Sequence, residues 1–211
     1  MTRSILYSFR RCPYAMRARL AISVAGVECE LREIVLRDKH PLFLAASPKG
    51  TVPAIVDGEH VIEESFDVML WALGQSDPED WLDQPVDALQ LIRTTDGPFK
   101  IALDRYKYAS RFDEVDARKE RENGAEFLRQ LDQRLDGQDW LFGPTAKLAD
   151  YAILPFVRQF AHVDLDWFSA QDWPNLIRWL EAFKTSDRFQ SIMGKYPKWE
   201  EGDDITLFPE L

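Results

Sequence analysis

Cys12 lies in the stretch SFRRCPYAMR, residues 8–17, between two arginines and a proline, with Ala15 three positions on. Residues 4–9 (SILYSF) form a short apolar run suited to a strand, and Pro13 suits the first turn of a helix. The thiol therefore sits at or just before a helix N-terminus. Unpaired N–H groups, here those of Tyr14 and Ala15, and about half a positive charge stabilise a thiolate there. Arg10 and Arg11 add cationic field. These conditions lower a thiol pKa and make the sulfur nucleophilic, a better fit to this setting than a small buried hydrophobe.

Ala15 occupies the place where a two-cysteine redox site carries its second sulfur. A mixed disulfide on Cys12 must then be resolved by an external thiol, so a small-molecule thiol is the expected cosubstrate. Two segments offer a place for it. In TVP (51–53), a cis bond at Pro53 would open the main chain of Val52 to an extended peptide. In EES (63–65), the amides of Glu64 and Ser65 with the Ser65 hydroxyl would hold a carboxylate, and Glu64 would accept from an ammonium. Taken alone, the first reads equally as a strand start and the second as a helix cap.

The elements that must position these residues follow from periodicity. A helix is expected over 13–25, ended by Gly26, then a strand over 30–36; together with the first strand they make a parallel strand–helix–strand unit. A short helix near 42–46 follows. Strands at 53–56 and 60–62 are joined by a hairpin signal at Asp57-Gly58, and a helix runs from 65 to about 73. The order β-α-β-α-β-β-α is that of the thioredoxin fold. Residues 76–85, polar, acidic and proline-containing, read as a linker between a domain of residues 1–75 and an all-helical domain of residues 86–211. In the latter, helices are expected over 86–112 (broken at Gly97-Pro98), 116–135, 148–160, 174–183 and 187–193. The tail from 196 onward reads as irregular.

The chain has 211 residues, 45% of them hydrophobic, and a net charge of −10. The acidity argues against nucleic acid and anionic membrane as partners. No apolar run reaches a membrane span, and the first residues lack the pattern of a signal peptide, so a cytoplasmic address is expected. Cys12 and Cys29 are the only cysteines and make no disulfide framework; His40, His60 and His162 show no metal-ligand spacing, and no metal is expected.

The stretches YSFRRCPYAMRARLAI and SPKGTVPAIVDGEHVIEES resemble the cysteine motif and glutathione-site segment of the glutathione transferase superfamily. The likeness is to its cysteine-type members: omega-class transferases, dehydroascorbate reductases and bacterial relatives. GPTAKLADYAILPF is similar to the family's buried helix with its capping signal, although Lys147 stands where the family usually has Ser or Thr. The resemblance implies glutathione as cosubstrate and Cys12 as the residue that forms a mixed disulfide with it. Val52 beside Pro53 would pair with the cysteinyl backbone, Glu64 and Ser65 would hold the γ-glutamyl end, and Lys39 or neighbouring His40 would hold the glycyl carboxylate. Tyr14 would line the pocket. The implied function is a glutathione-dependent thiol transferase or reductase acting on a small oxidised substrate, with a second-substrate pocket from the helical domain and two copies pairing. The alternatives are conjugation of glutathione to electrophiles or its removal from them, for which Tyr7 or Ser8 would be an activating hydroxyl, and a non-catalytic interaction protein of the same fold.

Overall fold

The computed structural model describes residues 3–210. The chain forms two compact units, one comprising the chain up to Asp80 together with the segment from Asp187 onward, the other Trp81–Ser186.

The first unit is thioredoxin-like. Strand β1 (Ser4–Ser8) leads into helix α1 (Pro13–Ala25), which ends on Gly26 in the left-handed region, and strand β2 (Cys29–Glu33) returns parallel to β1. Helix α2 (Pro41–Ala46), strands β3 (Ala54–Asp57) and β4 (His60–Ile62), and helix α3 (Ser65–Gln75) complete the expected order. The second strand is shorter than the 30–36 run suggests. Ser8, the last residue of β1, pairs with Glu33, and Val35 and Asp38 pair with each other in a tight turn that takes the chain out of the sheet.

Residues 187–210, assigned from sequence to the helical domain, belong to the first unit. The tail read as irregular supplies a fifth strand, Leu207–Phe208, antiparallel to β2, so that the sheet runs β4-β3-β1-β2 and then this strand. Trp199 N–H donates to Glu33 O (2.9 Å), and the Trp199 ring lies under the Arg32 guanidinium at 4.1 Å. Burial of an aromatic side chain and closure of the sheet edge together hold the tail in place.

The second unit is all helical: α4 (Val86–Thr94), α5 (Lys100–Lys107), α6 (Ala117–Arg134), α7 (Leu148–Ala161), α8 (Leu165–Ser169) and α9 (Pro174–Thr185). Between α4 and α5 the chain kinks at Gly97, whose φ/ψ is not helical, followed by Pro98, which has no N–H to continue the ladder. The face Ala125, Leu128, Leu131 and Leu135 is fully buried, as its spacing requires.

Helix α7 starts at Lys147, a side chain with no acceptor to cap it. Long-range partners take over: Leu148 N–H donates to Trp81 O and Ala149 N–H to the Gln84 side chain. Asp150, fully buried, accepts from the amides of Lys147 (3.0 Å) and Leu141 (2.9 Å) and from the Trp179 indole (3.0 Å). Burial outweighs these donors and pushes its carboxyl up to about 6, from 3.8. The native state thus binds this proton more tightly than the unfolded chain. The group's contribution to stability is greatest below pH 4 and declines as pH rises through 6, by about 3 kcal/mol in all. Asp150→Asn is expected to remove that slope, seen as a wild-type-minus-variant difference in urea unfolding free energy that shrinks between pH 4.5 and 7. Asp150→Ala, which strands three buried donors, is expected to cost about 3 kcal/mol or more at either pH.

Candidate functional site

The two strand ladders put the ends of three elements side by side. Ser8 is level with Glu33 across the parallel pair, and Tyr7 is level with Ala54 across the antiparallel one. The turn that leaves β1 therefore faces the loop that enters β3. Cys12 N–H donates to Phe9 O (3.0 Å), closing that turn, and Cys12 becomes the N-cap residue of α1. Its half-buried sulfur rests against the Tyr7–Phe43–Val52 core cluster, 3.6 Å from the carbonyl oxygen of Val52. The Val52–Pro53 peptide bond is cis.

A cavity of about 590 Å³ opens at this point. Cys12, Tyr14, Lys39, Val52, Pro53, Glu64 and Ser65, singled out in four separated stretches of sequence, all line it. Glu64 is the N-cap of α3 and Ser65 its first residue, so the α3 N-terminus points at the cavity. From the α1 side, the buried Arg17 guanidinium donates to Ser65 Oγ (3.4 Å).

Of the two neighbouring basic candidates the structure brings only Lys39 to the cavity. His40 caps α2 through Nδ1, accepting from Leu42 N–H (3.2 Å), and its ring packs edge-on against Trp199. Tyr7 is a core residue: it is buried against Phe43, and its hydroxyl accepts from Arg32 (3.0 Å). Ser8 is fully buried. Cys29 is equally buried at the start of β2, where burial pushes its thiol up to about 12.

Several residues of the site escape sequence reasoning. Lys49 Nζ pairs with Glu64 at 2.8 Å, which holds the Lys49 ammonium more firmly in its charged form. Ser47 donates to Glu63 (2.6 Å), tying the loop after α2 to the segment before α3. Gly50 adopts φ +59, and a β-carbon there would lie 2.9 Å from the Leu44 side chain and 3.2 Å from Lys39 Nζ. The spacing of Lys49 and Gly50 just before TVP was the available signal, but their partners are distant in sequence.

Two outcomes follow. Gly50→Ala is expected to cost about 1–2 kcal/mol, from the left-handed backbone, and to displace Lys39, so that capture of a carboxylate-bearing ligand weakens in a calorimetric titration. Iodoacetamide at pH 7 is expected to place one adduct on the folded chain, at Cys12, with Cys29 modified only in denaturant, as read by intact and peptide mass.

The fold and the sequence both have known relatives. Residues 6–80 match the family model "Glutathione S-transferase, N-terminal domain", and residues 80–182 match "Glutathione S-transferase, C-terminal domain". Glutathione S-transferase U1 of Arabidopsis thaliana is 25% identical over 93% of this chain and 89% of its own length. Glutathione S-transferase omega-1 of Mus musculus is 24% identical over 85% of this chain and 75% of its own. Among solved structures, a glutathione transferase from Pseudomonas putida with one glutathione disulfide bound per subunit superimposes with a TM-score of 0.77 at 19% identity, covering 90% of each chain. One from Burkholderia graminis with two glutathione molecules bound per subunit gives 0.75 at 21% identity, covering 90% of this chain and 87% of that one. With its paired domain models, its thioredoxin-like and helical units and its cysteine-lined cavity, the chain belongs to the glutathione S-transferase superfamily.

Proposed function

We propose that the protein is a glutathione-dependent thiol transferase in which Cys12 is the nucleophile. The observation that carries this reading is the meeting of Cys12, at the N-cap of α1, with the main chain of Val52 and the N-terminus of α3 around one cavity. A tripeptide with two carboxylates, one ammonium and a central thiol has a complement for each group there. The amides and hydroxyl at Ser65 suit the γ-glutamyl carboxylate, and Glu64, shared with Lys49, suits the ammonium. Val52 offers its main chain to the cysteinyl unit, and Lys39 suits the glycyl carboxylate, with Tyr14 walling the sulfur side.

In the exchange, the Cys12 thiolate attacks the glutathione sulfur of a mixed disulfide. The Cys12–glutathione S–S bond forms as the substrate S–S bond breaks, and the substrate leaves as a thiolate that takes a proton. A second glutathione thiolate then attacks the Cys12-bound sulfur, releasing glutathione disulfide and restoring the Cys12 thiolate. One free glutathione is consumed per turnover: its thiolate is oxidised into glutathione disulfide as the substrate sulfur is reduced to a thiol. With Ala15 in the position of a resolving sulfur, the external thiol is required. The omega-class relative and the disulfide-bound neighbour accord with this chemistry. Conjugation driven by a tyrosine hydroxyl is less well served, because the Tyr7 hydroxyl is buried and engaged by Arg32. No helix among the described residues is long and apolar enough to cross a membrane.

Cys12→Ala is expected to lower the rate of reduction of a glutathione mixed disulfide by at least about a hundredfold while leaving retention on immobilised glutathione intact. Turnover preserved in the variant would refute the role of Cys12, and failure of the wild type to be retained would favour a non-catalytic module. Oxidised glutathione is expected to add one glutathionyl mass, at Cys12.

A further inference from the structure

Resting on the reading of Cys12 as nucleophile, we propose that Arg19 and Glu33, which do not line the cavity, are positioning residues that clamp the turn carrying Cys12 and set the charge it meets. The turn Phe9–Cys12 closes on itself through the Cys12 N–H, with the N–H and C=O of Arg10 inside that turn. Both are held by side chains from other elements. Arg10 N–H donates to Glu33 Oε1 at the end of β2 (2.6 Å), and Arg10 O accepts from Arg19 Nη2 in the middle of α1 (2.6 Å). Arg19 and Glu33 face each other at 4.0 Å between Nη1 and Oε2. Arg19 is fully buried and Glu33 nearly so.

This is an unusual expenditure of charge. Arg19 Nε and Nη1 and Glu33 Oε2 are buried without a hydrogen-bond partner, so the pair is not an optimised ion pair. A buried pair of this kind contributes little net stability compared with apolar side chains of similar volume. What the pair does is to fix the two peptide units on either side of the Arg10 α-carbon, two residues before the sulfur. It also places a permanent cation within electrostatic reach of Cys12. Burial pulls the Arg19 guanidinium down to about 10, still charged at neutral pH, and the field of Cys12 counts among the influences that raise it again. That coupling is reciprocal: the guanidinium favours the thiolate. Glu33 carries the opposite sign, its carboxyl pushed up by burial, and Tyr196, Arg10, Arg11, Lys195 and Lys198 face the pair or the cavity beside Glu33.

The two charges therefore have opposite expected effects on the sulfur, which a purely structural role would not produce. The test is the rate of iodoacetamide modification of Cys12 in the full chain as a function of pH, with the site of addition confirmed by peptide mass. Arg19→Met is expected to raise the titration midpoint of Cys12, and Glu33→Gln, which keeps an acceptor for Arg10 N–H, to lower it, each on the order of half a pH unit. Midpoints that move together, or that do not move in folded variants, would overturn the proposal. Should Arg19→Met fail to fold, the double variant Arg19→Met/Glu33→Gln removes both charges at once. Its midpoint is expected above that of Glu33→Gln alone, and equality of the two would overturn the role of Arg19. Wild-type Cys12 titrating like an ordinary thiol, near about 8.5, would remove the exchange reading. The clamp is decided separately, by the differences among variants.

Discussion

The register of β1 against its two neighbours is the constraint from which the site follows. Ser8 opposite Glu33 and Tyr7 opposite Ala54 leave no freedom in where β1 ends relative to β2 and β3. A one-residue slip would turn Leu6 and Tyr7, both buried, to opposite faces. Because that slip is so costly, the turn after β1 emerges at a fixed height, beside the loop that enters β3. Cys12 and Val52, 40 positions apart in sequence, come within 3.6 Å by backbone pairing alone. The cavity is thus placed at the carboxyl ends of the parallel strands, where α/β folds generally keep their ligands.

The local parts of this arrangement were legible in the sequence. Helix α1 falls on the residues expected, Pro13 to Ala25, because proline fixes its first turn and glycine its last. Cys12, the Val52-Pro53 pair and Glu64-Ser65 could be singled out because each lies at an element boundary with its own composition. What was not legible depends on contacts across the chain. The strand Leu207–Phe208 is two residues long, too short for any period to register, and exists only because the edge of β2 is there to receive it. Lys147 in place of a Ser or Thr says nothing of how α7 is capped, because Trp81 and Gln84 supply acceptors from more than 60 positions upstream. That Lys39 lines the cavity and His40 does not goes with Trp199, a residue of the tail, against which the histidine ring packs.

The net charge of −10 gives a poor picture of the cavity. Lys39 and Lys49 line it together with Glu63 and Glu64, Arg10 and Arg11 precede Cys12, and the amides of α3 point inward. At physiological ionic strength, screening over about 8 Å separates the field of the acidic surface from the field inside such a site. Global acidity and a cleft whose carboxylates are balanced by lysines are compatible for that reason.

Helix α1 connects the two sides of this cleft through arginines that look, in sequence, like solvent-facing residues. Arg17 and Arg19 are two positions apart, hence about 200° around the helix, and both are buried. One donates to Ser65 at the start of α3, and the other to Arg10 in the turn before Cys12. A helix whose only duty was to cover the sheet would place apolar side chains at these positions, since burying charge is costly. Arginine at both is explained by reach and by donors. A long, forked cation extends from the helix axis to a hydroxyl on one side and to a peptide carbonyl on the other, and so relates the N-terminus of α3 to the turn that carries Cys12 with no loop in between. One rigid element thereby joins the α3 N-terminus to the sulfur-bearing turn.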